Sequence, residues 1–287
     1  VTPLALGLVL LAGLFHASWN LLAKRAGGAS GPAFVWLVNA LAALFLTPFA
    51  VAVVLFGDAR VGALGLVFMV GTGLLHIGYF LSLQAGYAVG DLSLVYPLAR
   101  GTGPLVASAL AVVLLGERAT PLTVSGAALI GAGVFLLAWE PGGPSGPSAR
   151  LGVAYGLLTG LFIAAYTLWD KYAVSVLLLS PVLYYWAACV AETALLGPVA
   201  VRRRGAVRAL WREHRAESLG VAFLSPLSYL LVLAALVFTP VTHVAPAREV
   251  GILIGTAMGG RLLEEGNARR RLLAAAAIVL GVVALAL

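Results

Sequence analysis

The sequence predicts an all-α membrane protein of ten transmembrane helices, arranged as two inverted five-helix repeats around a central cavity. Three observations predict it. Hydrophobic residues fill 62% of the 287 positions and charged residues only 10%, whereas a water-soluble domain carries about 25% charge. Ten apolar runs follow one another, each near the roughly 20 residues that span a hydrocarbon core of about 30 Å. Finally, a segment of the first run recurs in the sixth.

The first five runs lie near residues 3–23, 33–56, 62–86, 92–115 and 120–139. The second five lie near 151–171, 178–201, 217–238, 244–263 and 270–287. Residues 1–139 therefore form one expected repeat and 151–287 the other, joined by a Pro/Gly/Ser-rich linker over 140–150. Apolar sequence begins at Leu4 with no basic segment ahead of it, so the first run reads as a retained span rather than a signal peptide. The mean hydropathy of +1.04 leaves too few charges to coat a water-facing surface.

The net charge is +7, but its cations sit in short tracts between apolar runs, a placement that opposes nucleic-acid binding. Counting residues in a loop or within three positions of it, thirteen of the 18 Lys and Arg residues belong to the loops after odd-numbered spans and three to those after even-numbered spans. The positive-inside rule then puts the odd loops in the cytoplasm and both termini outside. The basic stretch from Arg202 to Glu217 reads as a solvated cytoplasmic loop, in preference to a short helix on anionic headgroups. Cys189, the single cysteine, reads as a small buried hydrophobe.

Residues 13–26 and 160–173 align at an offset of 147 with seven identities in fourteen positions. Further on, Arg100, Gly103, Glu117, Ile130, Gly133 and Val134 match Arg248, Gly251, Glu265, Ile278, Gly281 and Val282 at an offset of 148. Pro97 and Pro246 correspond with a one-residue gap. Five spans per copy is an odd number, so the second copy inserts upside down. Two inverted copies give a pseudo-two-fold axis in the membrane plane, the architecture of many secondary transporters, with the solute site where the copies meet.

With the Leu115-Gly116-Glu117-Arg118 end of the fourth span and the Gly-containing fifth span after it, the chain resembles the drug/metabolite transporter superfamily, in its ten-span EamA-type branch. It is similar there to the bacterial aromatic amino acid exporters. The second half departs from the pattern, with Leu263-Glu264-Glu265-Gly266 in the corresponding place. The resemblance implies a multi-pass protein of the bacterial cytoplasmic membrane. It also implies export of amino acids or related metabolites by alternating access through a cavity between the halves, without cofactor or metal, as a monomer or weak homodimer. A transporter or flippase of phosphorylated metabolites or lipid precursors is the alternative. A membrane-embedded enzyme fits poorly, since the chain has no His-Glu-x-x-His zinc motif, and no Walker loop supports ATP-driven pumping.

Ionisable groups at bilayer depth cost about 2.5–3.5 kcal/mol each and therefore face the bundle interior. On span 1, His16, Trp19 and Asn20 share one helical face, and Tyr166 and Thr167, followed by Trp169, are their counterparts on span 6. Span 3 offers His76, Tyr79, Phe80 and Gln84, with Tyr229 on span 8 in the place of Tyr79. These rings and amides suit a small amphipathic solute, or else interhelical packing. Span 4 carries Tyr96, the hinge candidate Pro97 and Arg100; span 9 carries the hinge candidate Pro246, with Arg248 and Glu249. Either arginine suits a carboxylate or phosphate. The rival role is an ion pair with Glu192 or Glu249. His16, His76, Glu192 and Glu249 are the candidates for proton coupling.

Overall fold

A backbone in hydrocarbon must satisfy its own N–H and C=O groups, and the regular structure among the described residues is helical throughout. The computed structural model describes residues 3–26, 31–57, 61–115, 121–138, 147–238 and 268–286, among which there are ten helices and no strand. They are α1 (Pro3–Arg25), α2 (Gly31–Phe56), α3 (Ala63–Val89), α4 (Leu92–Leu115), α5 (Pro121–Ala138), α6 (Pro147–Ser175), α7 (Pro181–Arg202), α8 (Arg204–Glu213), α9 (Arg215–Phe238) and α10 (Ala268–Ala286). Nine of the ten expected spans fall on a long helix. The other, 244–263, lies outside the described residues, and with it Pro246, Arg248 and Glu249. By length and apolarity alone, four stretches among the described residues suffice to cross a membrane: Gly31–Phe56, Ala63–Val89, Arg150–Val174 and Pro181–Arg202.

Two expectations need correction. The stretch expected to be a solvated loop forms helix α8 over Arg204–Glu213. Its Ala206, Val207 and Leu210 share one helical face and pack on the main apolar core, which supplies the tertiary burial that a ten-residue helix needs in order to persist. Helix α6 is also longer than the expected 151–171, starting inside the expected linker and running to Ser175.

Polarity is arranged from outside to inside in reverse of a soluble protein. On α3, Leu66, Val70 and Leu74 recur every fourth residue and are 57%, 46% and 55% exposed. The opposite face of that helix buries Met69, Thr72, His76 and Tyr79. Asn20, Asn39, Gln84, Arg100, Asp170 and Glu192 are buried as well. Such a surface is stable only against lipid, and its polar interior is where an intramembrane function would sit.

Helices of the two sequence halves pack against each other: α1 on α9, α3 on α6, α4 on α6, α2 on α7 and α5 on α10. The α4–α6 crossing is close because α6 presents Gly152, Gly156 and Gly160 at four-residue spacing. A Cβ on Gly160 would lie 2.4 Å from the Thr102 Cβ, so only glycine admits this approach. At the α5–α10 crossing, a Cβ on Gly133 would meet Ile278 at 2.6 Å and the Ala274 carbonyl at 2.7 Å. One on Gly281 would meet the Gly126 carbonyl at 2.6 Å and Ile130 at 2.7 Å. Lys24, in the last turn of α1, donates to the carbonyls of Tyr87 and Gly90, both at 2.6 Å. It thereby places a cation at the C-terminal end of α3, where orphan carbonyls and the helix dipole favour one.

Candidate functional site

Six of the described helices converge on a narrow cavity of about 40 Å3. From α1, α3 and α4 come His16, Trp19, His76, Tyr79, Phe80 and Arg100. From α6, α7 and α9 come Tyr166, Tyr185, Ser225, Ser228, Tyr229 and Val232. Both sequence halves therefore build the wall. This volume is smaller than the range of about 300–1,000 Å3 occupied by small-molecule sites, so a solute enters only when the walls part.

The wall is largely aromatic. The His76 ring stacks on Tyr166 at 4.4 Å between centroids, with Tyr79, Tyr185 and Tyr229 at 6.3–6.5 Å around it. Tyr185 and Tyr229 lie 4.8 Å apart. On the α1 side, Trp19 meets His16 edge to face at 5.0 Å and Phe80 at 5.6 Å. Rings fixed on rigid helices offer flat apolar surface at little entropic cost, and their hydroxyl and imidazole groups add hydrogen-bonding capacity. Arg100 adds a fixed cation to this wall while only 3% exposed, and its planar guanidinium matches a carboxylate or phosphate.

Behind the rings lies an acidic hub. Asp170 of α6, 4% exposed, accepts hydrogen bonds from Thr72 Oγ1 at 2.6 Å, Tyr184 OH at 2.7 Å and Tyr229 OH at 3.1 Å. His76 Nδ1 lies 2.9 Å from the Thr72 carbonyl and 3.0 Å from Thr72 Oγ1. A carbonyl only accepts and the Thr72 hydroxyl already donates to Asp170, so this pattern assigns the proton to Nδ1. A second buried acid, Glu192 of α7, accepts from Asn39 Nδ2 of α2.

Seven expected residues thus meet at one cavity: His16, Trp19, His76, Tyr79, Arg100, Tyr166 and Tyr229. Four others lie away from its wall. Asn20 bridges α1 and α3, donating to the His16 carbonyl and accepting from Tyr87 OH. Tyr96 is buried beside His16, 5.9 Å from its ring. Trp169 stacks on Phe68 at 4.3 Å and donates to the Phe68 carbonyl at 2.9 Å. Gln84 is buried on α3, one turn beyond Phe80. Helix α4 runs through Pro97 without a break.

Sequence reasoning missed Asp170, Tyr185, Ser225, Ser228 and Val232. Asp170 stood at the expected end of its span, where an acid reads as a boundary residue; the extra turn of α6 carries it inside. A signal for Tyr185 was available, since it stands seven residues before Glu192 and so shares its face. The two serines and the valine carry no signal that separates them from ordinary packing residues.

Residues 3–139 match the family model described as EamA-like transporter family. No curated protein matches the chain. Among solved structures, one described as the crystal structure of a protein aligns with 98% of this chain and 96% of its own, at 17% identity and a TM-score of 0.59. That likeness shows a shared fold. The match ties residues 3–139 to that family of the drug/metabolite transporter superfamily, and the apolar helices mark the chain as a multi-pass helical membrane protein.

Proposed function

We propose that this protein exports small metabolites, amino acids foremost, by alternating access through the cavity between its two halves. The observation that carries this reading is the wall itself: a buried guanidinium, Arg100, among Trp19, Phe80, Tyr79, Tyr166, Tyr185 and Tyr229. The arginine suits a carboxylate, the rings suit an apolar or aromatic side chain, and the ring faces also attract an ammonium group. His16, His76, Trp19, Tyr79, Arg100, Tyr166 and Tyr229 are the substrate contacts.

Alternating access draws its support from the packing pattern. A two-fold axis relating the halves exchanges the pair α1–α9 with the pair α6–α3 and maps α2–α7 and α5–α10 onto themselves. The contacts of Gly133 and Gly281 follow the same rule. A rocking motion of one half against the other would expose the cavity to each side in turn.

The test is uptake of a panel of radiolabelled amino acids into liposomes containing the purified protein. Saturable uptake that is lost in Trp19→Ala or Arg100→Ala supports the reading. Absence of uptake for every amino acid, by protein shown to be folded, sinks that substrate class. Phosphorylated metabolites and lipid precursors, whose phosphates Arg100 also suits, then take its place.

A further inference from the structure

Helix α8 carries six arginines on and around it, and among the described residues the bundle occupies one of its faces. Ala206, Val207 and Leu210 pack inward, whereas Arg203, Arg204, Arg208, Arg212 and Arg215 are exposed. Arg202, also exposed, ends α7. Two acids lie near: Glu213, and Glu217, whose carboxylate is 3.9 Å from His214 Nδ1. The segment from Arg202 to Glu217 therefore keeps an excess of four positive charges. Cation number alone would fit a merely solvated surface, so placement decides the matter.

Arg204, Arg208 and Trp211 recur at i, i+4 and i+7, which sets them along one side of α8. Trp211 is 37% exposed, and the Arg215 guanidinium lies 5.0 Å from its ring centroid. Arg215 opens α9, and the residues that follow it at four-residue spacing, Leu219 and Phe223, are 42% and 45% exposed. An exposed apolar stripe of this kind on a membrane helix faces hydrocarbon. Arg215 and Trp211 therefore continue a lipid-facing stripe by one turn, up to the level where hydrocarbon gives way to headgroups. Tryptophan is enriched at that level because its ring sits in the apolar boundary and its N–H among polar groups. Arginines beside it meet phosphodiester oxygens with planar, multidentate geometry.

We propose that Arg204, Arg208, Trp211 and Arg215 form a binding site for the headgroup of an anionic phospholipid of the surrounding bilayer. The lipid tails would lie along Leu219 and Phe223, and the phosphate would bridge α8 to the start of α9. Because α8 joins α7 to α9, both of which line the candidate cavity, a bound lipid would hold that connection at the membrane surface. The site does not depend on which solute the protein carries.

The experiment is native mass spectrometry of the full chain after incubation with an equimolar mixture of phosphatidylglycerol and phosphatidylcholine in detergent. The wild type retains phosphatidylglycerol in preference, and the preference falls about fivefold for each arginine removed in Arg204→Gln, Arg208→Gln and Arg215→Gln. Arg150→Gln and Arg269→Gln, which remove exposed charge elsewhere on the chain, leave it unchanged. Trp211→Ala weakens retention of phosphatidylglycerol while keeping every charge. An unselective wild type, or a preference that survives in all three arginine variants, overturns the site. Loss of phosphatidylglycerol on adding excess inorganic phosphate also overturns it, because a soluble-anion site would then explain the arginines. The single variants change exposed residues, and size-exclusion profiles matching the wild type establish that each is folded.

Discussion

Gly133 of α5 and Gly281 of α10 make the same contact in opposite directions. Gly133 lies against Ala274 and Ile278, and Gly281 lies against Gly126 and Ile130. The offset of 148 that relates the two glycines also carries Gly126 to Ala274 and Ile130 to Ile278. Contacts that reciprocate in this way belong to a self-complementary interface, and here its two sides come from one chain. Neither glycine leaves room for a side chain, so Gly133→Val and Gly281→Val should each destabilise the protein by about 1–3 kcal/mol through overpacking. The two should lower the midpoint of thermal unfolding in detergent by similar amounts. Gly131→Ala, at a position with nothing within 4 Å, should leave it unchanged or slightly raised, since alanine is the better helix former. A wild-type midpoint in one glycine-to-valine variant and a large loss in the other would remove the reciprocal account.

The second prediction concerns the acidic hub. Asp170 ties α6 to Thr72 of α3, Tyr184 of α7 and Tyr229 of α9. Tyr229→Phe keeps the ring in the cavity wall and deletes one hydrogen bond, a loss of about 0.5–1.5 kcal/mol. Asp170→Ala leaves three inward-facing hydroxyls without their acceptor, each costing about 1–3 kcal/mol if nothing replaces it. The ordering of unfolding midpoints should therefore be wild type, then Tyr229→Phe, then Asp170→Ala well below both. Equal midpoints for Asp170→Ala and Tyr229→Phe would mean that the carboxylate is not the hub of this network.

The contrast between these two sites shows what sequence alone could carry. Span length and composition are properties of single segments, so the helices were legible wherever twenty apolar residues stood together. The correspondence of Gly133 with Gly281 was legible too, because both stand at the offset of 148 that relates other identical residues of the two halves. Asp170 was not, since its role depends on which side chains of three other helices point at it. Helix α8 was misread for a related reason. A ten-residue, arginine-rich segment is marginal as an isolated helix, and what holds it is burial of Ala206, Val207 and Leu210 against the bundle. Asn20 and Trp169 lie away from the cavity wall for a related reason. Polar and aromatic groups in a span must find partners, and neighbouring helices supply them as readily as a solute does.

A third prediction follows from the way α1 holds α3. Lys24 Nζ bonds the carbonyls of Tyr87 and Gly90 at 2.6 Å each, one turn apart at the helix end. Lys24→Met preserves much of the aliphatic stem and removes the charge, leaving these carbonyls to other donors. A hydrogen bond from a charged donor contributes about 1.5–3 kcal/mol, so the unfolding midpoint should fall. Amide exchange should quicken in the last turn of α3 before it changes elsewhere. Uniform acceleration across all helices would argue instead for a global role of Lys24.

The last prediction separates a substrate contact at Arg100 from a structural one. Its side chain is 3% exposed and lines the cavity, so stability and transport must be measured side by side. If the guanidinium meets a substrate carboxylate, Arg100→Ala should raise KM for tryptophan about tenfold to a hundredfold, the equivalent of a charged hydrogen bond worth about 1.5–3 kcal/mol. Tryptamine, which keeps the ring and the amine but lacks the carboxylate, should bind the wild type weakly and be nearly indifferent to the substitution. Arg100→Lys restores the charge without the planar fork, and should recover part of the affinity for tryptophan only. A purely structural arginine predicts another pattern. Arg100→Ala would then lower the unfolding midpoint and the maximal rate for both solutes alike, with KM unchanged, because fewer molecules would be folded while each survivor bound normally.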